Sequence, residues 1–164
     1  MILALAIIGT AFTLHAQQKF GHLITEELLV AMPEYDSAQA EVEELRQHYT
    51  LEIERIQVEI NKKIEEFSAS EATMSNLIKE AKASEIQELQ MRLQNYSQTA
   101  QQELQQRGAQ VMQPVMNKAR QAIEDVAKEN NLIYVFDMSG GNPIYASEES
   151  VDILPLVKAK LGIQ

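Results

Sequence analysis

The 164-residue chain contains no Cys and no Trp, only four Pro and six Gly, and aromatic residues make up just 5% of it. Without Cys there is no disulfide framework, no thiolate metal site and no Cys nucleophile. So few aromatics argue against a large, densely packed core. Basic residues are scarce too: 14 Lys and Arg stand against 24 Asp and Glu, a formal net charge of −10. That balance disfavours nucleic acid as a partner, because phosphate binding needs cationic side chains to displace counterions. The length is that of one domain. Helical, binding and structural proteins remain.

Long apolar runs are absent except for Ile2 to Leu14, 13 mostly apolar residues with no charge. A membrane-spanning helix needs roughly 20 such residues, so this run is short for a bilayer. It fits the central region of a secretory signal peptide over residues 1–16, with Leu14-His15-Ala16 as the cleavage site and Gln17 as the new N-terminus. No Lys or Arg precedes the run. The other reading is a buried N-terminal strand or helix. No Cys follows, which excludes a lipoprotein anchor. The mature chain is expected to be exported, soluble and not membrane-spanning.

From Pro33 to Phe67 there is no Gly and no further Pro. Apolar residues fall in triplets: Ala38, Val42, Leu45, then Tyr49, Ile53, Ile56, then Ile60, Ile64, Phe67. Each triplet is the previous one shifted by 11 residues, about 3.67 per helical turn, so the stripe stays nearly straight along the helix. Leu89, Leu93 and Tyr96 start a looser second series, which continues through Ala100, Leu104, Arg107 and Val111, Val115, Lys118 to Ala122, Val126, Glu129. Its third slot turns polar after Tyr96. A narrow stripe needs a facing stripe, so the spacing predicts two long helices with a reversal in 68–84. Ser68 followed by Glu71, and Ser84 followed by Gln87, read as capping boxes there. Pro114 predicts a kink, since it has no N–H to donate to the carbonyl of Gln110 and its ring clashes with that carbonyl. The expectation is a free-standing antiparallel helical hairpin over residues 34–113, with arms of roughly 54 Å.

Residues 17–33 and 114–164 are left to form a small body of 68 residues. Lys19 to Ile24 looks like a short strand, and Thr25 with Glu26 and Glu27 opens a short helix that ends before Pro33. Leu132 to Asp137 reads as a strand buried on both faces, Ser139 to Pro143 as a turn, and Ile144-Tyr145-Ala146 as the returning strand. Pro155 opens a final helix that stops at Gly162. A core this small seldom stands alone, and short open strands need partners, so the body is expected to be an oligomerisation hub. The fold class is α+β, mainly α: a long coiled-coil arm on a small strand-rich body.

Lys19-Phe20-Gly21-His22-Leu23, Gln113-Pro114-Val115 and the stretch from Ala122 to Leu132 resemble the Skp (OmpH) family. So do Tyr134-Val135-Phe136-Asp137, Ile144 to Ser147, and Val151-Asp152-Ile153. The likeness covers nearly all of the mature chain in order. It implies a periplasmic, ATP-independent holdase chaperone for unfolded outer-membrane β-barrel proteins. It also implies a homotrimer in which strands build a central body and three helical hairpins enclose a client cavity. Delivery to the outer-membrane insertion machinery follows as a further partner, and no nucleotide, metal or other cofactor is implied. Two departures stand out: Asn131 occupies a position where Gly is common, and this chain is acidic where familiar members are basic.

An unfolded barrel exposes alternating apolar residues, so a holdase must offer weak, dispersed apolar contacts. Leu51 and Val58 lie seven residues apart, roughly opposite the stripe, and Met91 stands in the same relation to Leu89 and Leu93. Met suits promiscuous surfaces. These three, with Met74 near the reversal, are the candidate client contacts; the bland reading is that isolated exposed apolar residues are ordinary. No catalytic constellation is present. His22 and His48 lack the i, i+4 partner of a helical metal pair, and Ser139-Gly140-Gly141 lacks the length and Lys of a phosphate loop. Glu43-Glu44 and Glu65-Glu66 fall on solvated helix faces. An enzyme is not expected. The alternative to a holdase is a structural coiled-coil spacer or tether in the cell envelope.

Overall fold

The computed structural model describes residues 19–141 and 143–163. The signal-like segment 1–16 lies outside the described residues. Strand β1 (Lys19–Leu23) leads into the short helix α1 (Thr25–Val30) and then the long helix α2 (Pro33–Ser70). A single turn of 3-10 helix (Glu71–Thr73) reverses the chain into α3 (Asn76–Glu129), followed by β2 (Leu132–Asp137), β3 (Val151–Asp152) and α4 (Leu154–Leu161). The protein is mainly helical with a small strand region.

Pro33 starts α2 at a position where its missing N–H costs nothing. At the reversal, α3 is capped by Ser75, whose hydroxyl accepts from the Ile78 N–H at 3.4 Å. The capping boxes at Ser68 and Ser84 do not form: α2 continues through Ser68, and Ser84 lies inside α3. Their backbone N–H groups have intrahelical partners there, so no cap is needed. Asn130 ends α3, and Asn131 takes the left-handed conformation with φ 54°, which Asn tolerates better than most residues. Gly162 ends α4 the same way at φ 72°, with Ile163 N–H donating to the Lys158 carbonyl.

Side chains pair α2 with α3 along their lengths. Glu34 and Glu41, early in α2, meet Lys118 and Arg107, late in α3, while Lys63 meets Glu85 at 2.5 Å near the reversal. The two helices therefore run side by side in opposite senses. The polar third slot of the second helical series is occupied by partners, not by gaps. Arg107 binds Glu41, Lys118 binds Glu34 and Glu129 binds Lys160 of α4, while the one aromatic in that slot, Tyr96, packs edge-on against Tyr49 at 5.9 Å.

The sheet order is β2-β1-β3, and both pairings are parallel. This corrects two expectations. Ile144-Tyr145-Ala146 is not a returning strand; Ile144 and Tyr145 are 95% and 78% exposed. The third strand is Val151–Asp152, because the next residue, Ile153, is fully buried and its N–H binds the His22 carbonyl. Nor is β2 buried on both faces. A register shift between Lys19 and Phe20 leaves Ile133 without a partner in β1. Leu132 and Val135 pack against the core, while Tyr134 and Phe136 stay exposed. Among the described residues no second layer covers that face.

The core sits where α1, α3 and α4 meet the sheet: Leu23, Leu28, Met32, Val115, Ala119, Ala122, Val126, Ile153 and Val157 are buried there, with Ala38 of α2 at its upper edge. Gly21 lies at its centre, where an added Cβ would lie 2.7 Å from Leu132 Cδ1 and force that side-chain end to shift. Helix α3 passes through Pro114 as one continuous element, linking this core to the arm.

Candidate functional site

Two surfaces present apolar side chains that the chain itself leaves uncovered. The first is the arm formed by α2 and α3. Its inner seam buries Ile56, Ile60 and Ala100. Each residue advances about 100° around the helix, so Leu51 and Val58 point away from that seam, and both are 66% exposed. They stand about 10 Å apart along α2 at 1.5 Å per residue. Met91, 51% exposed on α3, borders a shallow groove of about 510 Å3 lined also by Glu88, Arg92, Asn95, Tyr96 and Thr99. The pairing of Lys63 with Glu85 places Met91 at the height of Val58 along the arm. Met74 is separate from these three. It lies at the reversal, half-buried, and its N–H binds the Glu71 carbonyl.

Two residues at the far end of the arm escape sequence reasoning. Leu77 is 78% exposed and Ile78 48% exposed. Leu77 and Ile78 fall in the first turn of α3, before the helical period of the second stripe begins. Ile64 belongs to the seam series by spacing, yet it is 40% exposed although α3 extends past its level, where Lys63 meets Glu85. An apolar pair directly after a Ser cap was the available signal.

The second surface is the outer face of the sheet. Phe20, Tyr134 and Phe136 form an exposed aromatic cluster with ring centroids 6.2–6.3 Å apart. Strand β2 carries two of them, and its far edge pairs with nothing among the described residues. Edge strands of this kind invite pairing with another chain.

Polar groups near these surfaces are tied into structural roles. The Asp137 carboxylate, at the end of β2, accepts from Ser139 N–H at 2.9 Å, Ser139 Oγ at 2.7 Å and Thr25 N–H at 3.1 Å. Ser139 Oγ in turn accepts from the Glu26 N–H at 3.2 Å. Strand β2 thus caps α1 across the chain. Partial burial raises the Asp137 carboxyl, but the Ser139 and Thr25 hydrogen bonds together outweigh it and hold it down at about 2. On the arm, Tyr49 donates to Glu103, and that bond pushes its hydroxyl up to about 12. Glu34 and Glu85 are lowered chiefly by their hydrogen bonds from Lys118 and Lys63. His22 Nδ1 lies 2.9 Å from Ser150 Oγ, bridging β1 to the segment before β3, and His48 is exposed on α2 beside Tyr49. Among the described residues no group of three His, Asp or Glu converges as a metal site.

Such an arrangement offers exposed apolar side chains along the arm and an open strand edge on the body. A family model described as "Outer membrane protein (OmpH-like)" matches residues 19–161, arm and body together.

The chain belongs to the Skp/OmpH family.

Among solved structures, an OmpH-like protein from Caulobacter crescentus CB15, described as a candidate outer membrane chaperone, superposes with a TM-score of 0.75. The alignment covers 89% of this OmpH-like chain and 85% of that one at 15% identity, a likeness of fold. No curated protein sequence matches. Among the described residues, no helix of the OmpH-like chain is long and apolar enough to cross a membrane.

Proposed function

We propose that this protein is an ATP-independent periplasmic holdase chaperone. It works as a homotrimer whose helical hairpins hold unfolded outer-membrane β-barrel proteins until they reach the insertion machinery. The N-terminal segment 1–16 exports it. The observation that carries the reading is the arm itself: α2 and α3 bury a narrow seam and still expose Leu51, Val58 and Met91 along their outer surfaces. A spacer helix pair has no use for apolar side chains there, whereas a holdase needs many weak contacts of this kind. The aromatic cluster and open edge of β2 support assembly through the body. An acidic chain does not hold clients by positive charge, so here apolar contact carries capture and the acidic surface keeps the complex soluble.

The test is dilution of a urea-unfolded outer-membrane barrel into buffer containing the protein at equimolar trimer. Suppressed light scattering is expected. Replacing Leu51, Val58 and Met91 with Ser should weaken suppression while leaving thermal stability within about 0.5 kcal/mol, as for exposed positions generally. A wild-type protein that leaves aggregation unchanged, but captures one stoichiometric envelope partner, would be a tether instead.

A further inference from the structure

Helix α3 carries a polar series with the same 11-residue period as the apolar ones. Gln87, Gln90 and Gln94 recur eleven residues later as Gln98, Gln101 and Gln105. At about 100° per residue the six fall within an arc of about 80°, and they run along about 27 Å of the helix. All six are exposed. Charged residues stay off this line. Arg92 and Glu103 lie roughly 160–180° around α3 from its centre, and Glu103 is engaged by Tyr49. From residue 89 to residue 102 Arg92 is the only charge, in a chain of which 23% is charged.

Helix formation does not call for glutamine here. Glu and Lys are equally good helix formers, and the chain uses Glu on other solvated faces, as at Glu43-Glu44 and Glu65-Glu66. Nor are these amides consumed within the arm. Gln39, Gln47, Gln57, Gln113 and Gln121 each donate to a side chain four residues away. Among the described residues the six of the stripe have no such partner. Apolar surface lies directly beside them. Met91, 51% exposed, is flanked by Gln87 and Gln94, one turn away on either side. Gln101 and Gln105 border a groove of about 370 Å3 between α2 and α3, lined also by Thr50, Ile53, Ser97 and Leu104. The one charged side chain there, Arg46, pairs with Glu43 at 3.3 Å.

We propose that this glutamine stripe docks the backbone of an extended client segment, while Met91 and the groove beside Gln101 and Gln105 receive its apolar side chains. An unfolded strand presents N–H and C=O groups that no neighbouring strand satisfies. A glutamine side chain offers both donors and an acceptor, so one residue type answers both groups. It is also neutral, like the peptide group it would bind. A stripe of Glu would offer acceptors only, and any charged stripe would be costly to desolvate against a client. Recognition of this kind ignores client sequence and charge, which suits a chain with a net charge of −10. The inference rests on the holdase reading and names the part of the client that is held.

Binding of a fluorescently labelled outer-membrane barrel, diluted from urea into the protein, tests it. Wild-type affinity should change less than about twofold between about 0.05 and 0.5 M salt, as contacts without charge do. Gln94→Ala, Gln98→Ala, Gln101→Ala and Gln105→Ala combined should keep the melting temperature, since Ala favours the helix, and weaken binding at least about tenfold. In NMR spectra of the wild type, the side-chain NH2 signals of the stripe should shift or broaden on adding the barrel, and those of Gln113 and Gln121 should not. Equal binding by the fourfold variant, steep loss of wild-type binding with salt, or unmoved stripe amides would each overturn the stripe and leave the holdase reading in place. Stripe signals that move with protein concentration alone would assign the stripe to contacts between copies, and overturn it too. A wild type that binds no unfolded barrel overturns the holdase reading and this inference with it.

Discussion

At the scale of single residues, Gly21 and Asp137 hold the body together by opposite means. Gly21 does so by what it lacks. A methyl group would press against Leu132 Cδ1 at 2.7 Å and Ile153 Cγ2 at 3.3 Å, joining β2, β1 and the entry to α4 in one crowded point. Gly21→Ala is expected to cost about 1–3 kcal/mol, as overpacking commonly does, measured by urea unfolding. Leu132 can yield by rotating its side-chain end, which places the expected value in the lower half of that range. Asp137 does so by accepting three hydrogen bonds that fasten α1 to the end of β2. Asp137→Asn keeps an acceptor oxygen but removes the charge that strengthens these bonds, and should cost about 1 kcal/mol at neutral pH. The carboxyl sits at about 2 in the folded protein against an ordinary 3.8. A group lowered in this way stabilises the fold above 3.8, and its contribution is lost as the pH falls from there towards 2. Melting curves of wild type and Asp137→Asn should accordingly converge between those two pH values, and a constant gap down to pH 2 would contradict the assignment.

At the scale of elements, periodicity carried most of the legible information, and long-range partners carried the rest. The 11-residue repeat from Ala38 to Phe67 is enough to expect a long helix with a straight seam, and Ile56 and Ile60 are its buried centre. Arg107 and Lys118 look like failures of the second stripe when α3 is read alone. They make sense only beside Glu41 and Glu34, whose height on the facing helix no local pattern reveals. The strands were harder. Ile144-Tyr145-Ala146 has strand composition and a turn before it, yet among the described residues no strand pairs with it. Val151-Asp152 is chosen instead because Ile153 anchors it. Leu51, Val58 and Met91 were readable as outward positions because helical spacing alone excludes them from the seam. Leu77 and Ile78 lie outside that periodic frame and were not. Because the arm's buried residues are separate from the body core, Ile56→Ala should destabilise by about 2–5 kcal/mol. Hydrogen exchange should localise that loss to the arm segments of α2 and α3, with the amides of β1 and α4 keeping their protection.

At the scale of the whole molecule, the proposed chaperone would use its exposed aromatic face for assembly and its exposed arm surfaces for capture. A body with so small a core leaves Phe20, Tyr134 and Phe136 at the surface of one chain, and the proposed trimer is what covers them. Tyr134→Asp with Phe136→Asp should convert trimer to monomer in sedimentation experiments, because each carboxylate would have to be buried without a partner. The same variant should lose client protection, since a single arm encloses nothing. The central claim is that trimer and client capture go together. Light scattering coupled to size exclusion on residues 17–164, with and without an unfolded outer-membrane barrel, measures both at once. The predicted result is a trimer that gains one client and keeps it soluble. A trimer that elutes unchanged while the client precipitates would contradict the holdase reading, and a monomer in the absence of client would contradict the assembly that the body is proposed to make.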